Sequence, residues 1–168
     1  MIVVDGLTLE PQTAAHAEEM FAVLSDPAIY EYERQAPASL EWLRERFARL
    51  ESRRSPDGAE QWLNWVIRLA SGEAAGYVQA TVSGNGRAGI AYELASRYWG
   101  RGLARRAVDA MAAELVAHYR VHTLTAVLKR ANGRSQRLLE RLGFSLVSAE
   151  DAGLGADEIL MERRVAAP

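Results

Sequence analysis

Cysteine is absent from this chain of 168 residues. That excludes disulfides, thiolate metal sites and any catalytic route through a cysteine acyl-enzyme. Lysine is almost as scarce, with Lys129 the one lysine among 20 basic residues. Such an arginine bias follows genome composition as readily as chemistry, so residue type alone marks no arginine as functional. Long apolar runs are also missing: nothing approaches the roughly 18 consecutive apolar residues of a membrane helix, and no membrane partner is expected. The opening MIVVDGLTLE carries neither a basic region nor a long apolar stretch, unlike a secretory signal, so the expected location is cytoplasmic. A net charge of −2 argues against a broad nucleic-acid surface.

What is present suits one globular domain over residues 1–168, with 49% hydrophobic and 25% charged residues. IVVDGLTLEP reads as a first strand stopped by Pro11. A helix follows from about Ala14 to Leu24 with Thr13 as N-cap, and a second from about Leu40 to Arg53 behind Ser39. DPAIYEYERQAP and RRSPDGAE read as loops. WLNWVIRLA, AAGYVQATVS and AGIAYELA are successive strands, separated by the hairpin-type turns SGE and GNGR. Leu103, Ala107, Met111, Leu115 and Val116 then recur at helical spacing. HTLTAVLK reads as a strand, NGRSQRLLERLG as a short helix, and FSLVSAE and DEILMERRV as closing antiparallel strands. This order predicts a mixed α/β domain around one sheet.

Chemistry concentrates in RYWGRGLARRA, residues 97–107, a glycine bend between strand and helix. A helix N-terminus presents unpaired N–H groups and partial positive charge, which attract phosphate. Gly100 and Gly102 let the backbone approach a ligand closely. Arg105 and Arg106 fall in the first helical turn, where the dipole disfavours cations by roughly 0.3–1 kcal/mol each, and a bound polyanion reverses that penalty. The arginines read equally well as a solvated surface; the strand–glycine–helix unit as a whole favours an anion. Two nucleotide motifs fail here. GLARRA lacks the Lys-Ser/Thr of a P-loop, and a dinucleotide fingerprint wants a third Gly or Ala where Arg105 stands, with an acid that TLTAVLKRAN does not supply.

YELASRYWGRGLA and HTLTAVLKRANGRSQRLLERLGF, with LSDPAIYEY and GYVQATV, resemble the GNAT acetyltransferase superfamily and, within it, the Rim-type group of ribosomal-protein N-terminal acetyltransferases. The implied fold is a central, mostly antiparallel twisted sheet flanked by helices. The superfamily's pyrophosphate loop, Q/R-x-x-G-x-G/A, fits in two registers. Arg97–Gly100–Gly102 matches literally; Trp99–Gly102–Ala104, with tryptophan in the first place, is preferred because it leaves Ala104 in the helix start and Leu94 on the preceding strand. The resemblance implies that backbone from Gly100 through Arg101, Gly102 and Leu103 to Ala104, with Arg105 beside it, holds the pyrophosphate of acetyl-coenzyme A. The pantetheine arm is implied to pair with backbone near Leu94 and Ala95, and Asn132 and Ser135 to belong to the second cofactor segment. The ring of Trp99 reads first as packed core.

The implied reaction is direct attack of an amine on the thioester. Backbone N–H near Leu94 is the natural oxyanion donor. Glu93 is the candidate base, directly or through a water, although strand alternation can also turn it to the other face as a structural acid. Many superfamily members carry a tyrosine as general acid where Leu139 stands here, and Leu139 cannot donate a proton. Ser135 is the remaining candidate, with helix capping as its ordinary role. Arg134, Arg137 and Arg141 form one helical stripe, readable as a solvated face or as a contact to the cofactor's adenosine phosphate. Tyr30, Glu31, Tyr32 and Glu33 lie where Rim-type enzymes shape the acceptor site, and acids there suit a cationic substrate. His118 and His122 have a metal-type i, i+4 spacing, but a helix–strand break falls between them and no metal is expected. Two functions stay open: an N-acetyltransferase acting on a protein N-terminus, polyamine, aminoglycoside or other small amine, and a non-catalytic acyl-coenzyme A binding or sensing module. The open edges of such a sheet leave room for a homodimer.

Overall fold

Alternating apolar residues pair the strands into one sheet. β1 (Ile2–Val4) and β2 (Leu7–Pro11) form a tight hairpin at Asp5–Gly6, where a single strand was expected. The Asp-Gly pair between two alternating runs is itself a hairpin signal. A 3-10 turn at Ala14–His16 leads into α1 (Ala17–Leu24), and Thr13 closes a capping box with His16. After a second 3-10 turn at Pro27–Tyr30, α2 (Leu40–Leu50) begins at Ser39, whose Oγ accepts from the Trp42 N–H at 3.1 Å. It ends short of the expected Arg53, which sits in a left-handed turn at φ 56°. β3 (Gln61–Leu69), β4 (Ala74–Val82) and β5 (Arg87–Leu94) form an antiparallel meander. They are followed by α3 (Leu103–Tyr119), β6 (Thr123–Lys129), α4 (Gly133–Arg141), β7 (Ser145–Val147) and β8 (Glu158–Arg164). This computed structural model describes residues 1–32, 34–148 and 153–166. The end of the expected strand FSLVSAE, and Glu33, lie outside them.

The eight strands run in the order β1-β2-β3-β4-β5-β6-β8-β7, and only β5 and β6 are parallel. β8 enters between β6 and β7, so the two closing strands pair with each other as expected while only one of them reaches the rest of the sheet. The buried side chains form one cluster reaching from Leu9 and Met20 through Val66, Val78 and Met111 to Leu124 and Met161.

The feature that positions the site is where β5 and β6 part. Their pairing stops after three residues, Arg87↔Thr123 to Gly89↔Thr125. β5 continues along β4 to Leu94, and β6 continues along β8 to Lys129. Each strand follows its outer neighbour, so the two part beyond Gly89 and Thr125.

Candidate active site

The parted strands frame a cleft of about 430 Å³. Its walls are Ile90–Leu94 of β5, Ala126–Leu128 of β6, the glycine bend, and the face of α4 bearing Ser135, Leu138 and Leu139. Gly100 and Gly102 both take positive φ, 74° and 71°, a region costly for residues with a Cβ. Gly102 is the N-cap of α3 and supplies no side-chain cap, so the first-turn N–H groups keep their capacity for an anion. A Cβ built on either glycine meets nothing within 4 Å, and both residues line the cleft.

Of the expected cofactor residues, Leu94, Trp99, Gly100, Gly102, Leu103, Ala104, Arg105, Asn132 and Ser135 line this cleft. Ala95 and Arg101 do not. Ala95 is buried and donates its N–H to the Ala75 carbonyl at 3.0 Å, and the Arg101 guanidinium stands over the Tyr98 ring. The Leu94 carbonyl accepts from the Trp99 indole N–H at 2.9 Å. Trp99 is therefore half-buried packing that also makes a polar contact, to the carbonyl of the Leu94–Ala95 peptide. Arg106 turns away from the cleft and donates to the Asp5 carbonyl at 2.6 Å, bracing the first hairpin. Arg134 reaches over the Trp99 ring; it and Arg141 line the cleft, whereas Arg137 does not.

Asn132 caps α4 through Oδ1, which accepts from the Ser135 N–H at 3.1 Å. The Ser135 hydroxyl lies 2.8 Å from the Tyr92 hydroxyl. Burial raises the Tyr92 pKa above its ordinary value of 10, opposed by the Ser135 hydrogen bond and the Arg134 charge. Leu139 is buried in the same wall. Tyr92 escaped the sequence reading because nothing local says which residue of a strand meets a helix 43 positions later.

Glu93 pairs in register with Tyr77, so its side chain shares a sheet face with Tyr77 and not with Tyr92. Its carboxylate lies 3.3 Å from the Arg34 guanidinium and is largely buried. Arg34 also donates to the Tyr77 hydroxyl at 2.5 Å. Burial, followed by the Glu93 charge, raises the Tyr77 pKa and pushes that of Tyr30 up to about 12. A second cavity of about 380 Å³ opens here between α1, α2, the loop after Tyr30 and the sheet. Glu93 and Arg34 line both cavities. Tyr30 lines the second, Tyr32 the first, and exposed Glu31 neither. Asp26 ties this loop to the end of β5: one carboxylate oxygen accepts from the Ser96 N–H at 2.6 Å and the other from the Ala28 N–H at 3.0 Å. The Ser96 hydrogen bonds hold its carboxyl below the ordinary value of 3.8.

Parted parallel strands, a positive-φ glycine bend at an uncapped helix start and a facing helix make up this cleft. The sequence model of the acetyltransferase (GNAT) domain matches residues 6–145, and the chain belongs to that family. It is an acetyltransferase that moves an acetyl group from acetyl-coenzyme A to an amine. Solved structures sharing the fold include an acetyltransferase from Thermus thermophilus, with 23% identity, TM-score 0.76, and 98% of this chain and 100% of that one covered. Another is the Salmonella typhimurium acetyl transferase that modifies the N-terminal serine of ribosomal protein L7/L12, with 16% identity, TM-score 0.77, and 97% of each chain covered. A third is a spermidine N-acetyltransferase chimera from Vibrio cholerae and hSSAT, with 18% identity, TM-score 0.77, and 95% and 96% covered. No curated protein matches the sequence significantly. No helix among the described residues is long and apolar enough to cross a membrane.

Proposed function

We propose a direct-attack mechanism in which the amine enters from the second cavity, Glu93 takes its proton, and the Tyr92–Ser135 pair protonates the departing thiolate. The observation that carries this reading is that Glu93 lines both cavities, with its carboxylate on the Tyr77 face beside Arg34. Acetyl-coenzyme A supplies an activated acetyl thioester. The residues fit it: open space above two positive-φ glycines and the uncapped α3 start suit a pyrophosphate, with Arg105 beside them.

In this mechanism the Leu94 N–H is the oxyanion donor, on the residue whose carbonyl accepts from the Trp99 indole. Arg34 pairs with Glu93 before the amine arrives, and an incoming ammonium competes for the same carboxylate. An α-amine with a reference pKa of about 7.7–8.0 needs less basic help than lysine at about 10.4. Tyr92, its pKa raised, is protonated at neutral pH and passes a proton through Ser135, a role for which Leu139 has no group. A thiol near pKa 8.5 leaves with modest assistance. The resemblance of YWGRGLA and N-x-x-S supports placing the enzyme in the Rim-type group, and a cytoplasmic location fits its cosubstrate.

The test is a thermal-shift titration with acetyl-coenzyme A beside Gly102→Asp. Ligand at 100 times its Kd adds about 2.7 kcal/mol, a rise of roughly 5–11 °C for a domain of this size. A native shift lost in a folded Gly102→Asp variant supports the site; a native protein that shows no shift refutes it.

A further inference from the structure

Two stretches of chain far apart in sequence border both substrates of the proposed reaction, and one carboxylate joins them. The first is the 3-10 turn Pro27–Tyr30 with the residues after it. Ile29 and Tyr32 line the first cleft, Tyr30 the second cavity and Arg34 both. The other stretch leads from the end of β5 into the glycine bend through a 3-10 turn at Ser96–Tyr98, and the Ser96 carbonyl accepts from the Trp99 N–H at 3.0 Å. Asp26 is the N-cap of the first turn, its Oδ1 accepting from the Ala28 N–H at 3.0 Å. Its Oδ2 accepts from the Ser96 N–H at 2.6 Å, across 70 positions of chain. Among the described residues, no other pair hydrogen-bonds between segments 26–32 and 94–104.

Capping alone does not require this arrangement. A serine caps a helical turn about as well as an aspartate, but its single oxygen cannot serve two N–H groups lying in different segments. The second carboxylate oxygen of Asp26 is committed to the link. Hydrogen bonds to an ionised acceptor are stronger than neutral ones, and the Ser96 hydrogen bonds hold this carboxyl below its ordinary value of 3.8, which keeps it charged at neutral pH. Ser96 stands in the chain between Leu94, the proposed oxyanion donor, and the glycine bend. On the other side of the link, the turn that Asp26 caps leads to Arg34, whose guanidinium lies 3.3 Å from the Glu93 carboxylate. Reacting groups misplaced by about 1 Å lose on the order of 10²-fold in rate, so the alignment of these two segments bears directly on turnover.

We propose that Asp26 is a positioning residue through which acetyl-coenzyme A, seated at the glycine bend, orders the Pro27–Tyr30 turn beside Glu93. This inference rests on the acetyl-transfer mechanism proposed above. The experiment measures amide hydrogen exchange over Ala28–Tyr32 in the full chain, with and without saturating acetyl-coenzyme A, in the native protein and two variants. Asp26→Ser keeps an oxygen for the Ala28 N–H and loses the one that reaches Ser96. Ser96→Pro removes the same hydrogen bond from the other side. Proline suits the first position of a helical turn, and Ala95 before it already has the extended backbone that proline requires, at φ −55° and ψ 140°. Acetyl-coenzyme A should slow exchange of the turn by about fivefold or more in the native protein and by less than about twofold in each variant. The acetyl-coenzyme A thermal shift should persist in all three. A merely structural tie would speed exchange equally with and without acetyl-coenzyme A and leave the ligand-induced ratio at its native value. Either folded variant keeping the native ratio overturns the proposal. So does a native protein that shows the thermal shift without any slowing of the turn. A native protein with no thermal shift would instead strike the underlying mechanism.

Discussion

Gly76→Ala should cripple the enzyme although Gly76 lines neither cavity. Gly76 lies on β4 opposite Leu94, where the β5 backbone approaches it closely. A Cβ there would stand 2.0 Å from the Glu93 carbonyl oxygen, 2.7 Å from the Leu94 Cα and 2.9 Å from the Glu93 carbonyl carbon. All three are backbone atoms, so no side chain can swing aside. Restoring an ordinary contact of 3.4 Å demands a shift of about 1.4 Å between β4 and β5, the strand that carries both the proposed base and the oxyanion donor. Misplacing reacting groups by about 1 Å costs on the order of 10²-fold in rate, and overpacking costs about 1–3 kcal/mol. The expected result is a kcat/KM lowered about a hundredfold and a Tm lowered by roughly 2–12 °C, read by coenzyme A thiol release and thermal melting. Gly84→Ala, where a Cβ meets nothing within 4 Å, is the neutral control. A Gly76→Ala protein with native kcat/KM and native Tm would refute the argument that this contact sets the site geometry.

Tyr92→Phe should lower kcat about tenfold to a hundredfold while keeping the acetyl-coenzyme A thermal shift; an unchanged kcat removes Tyr92 from the mechanism. Because burial raises the Tyr92 pKa above 10, the native rate should show no alkaline fall below about pH 10, and a descending limb near pH 8 would contradict its role as the proton donor. Acid should destabilise the fold through a different cluster. Arg68 donates to Glu10 at 2.7 Å and to Glu19 at 2.6 Å, and holds both carboxyls below their ordinary value of 4.5. With the folded pKa below the unfolded one, that stabilisation is complete above about pH 5 and is lost as pH falls through the depressed folded values. Arg68→Met should flatten the acid limb of a Tm-versus-pH curve. At pH 7 it should cost about 1–2 kcal/mol, discounted from values for buried pairs because Glu19 is 39% exposed; a variant with the native acid limb would refute this assignment.

Local signals carried much of the fold and the glycine bend that lines the first cleft. Alternation marked β3 to β5, Ser39 marked the start of α2, and Gly100 and Gly102 marked the bend before α3, because each depends on a few neighbouring residues and their backbone preferences. The Asp5–Gly6 hairpin was equally legible and was passed over as one strand. Arg106 shows the limit of such reading: its place in a helical first turn is local information, but its partner, the Asp5 carbonyl, is 101 residues away.

The amino-acid sequence by itself determined the element order after the first hairpin, the glycine bend with its helix, and membership in an acetyl-coenzyme A-using family. Tertiary structure alone decided that β5 and β6 part after three pairs, that Tyr92 meets Ser135, and that Glu93 stands between two cavities. The physical reason is that strand pairing joins residues far apart in the chain through register. A register one residue different would turn every one of these side chains to the opposite face, and no local preference of the backbone records which register the packed core selects.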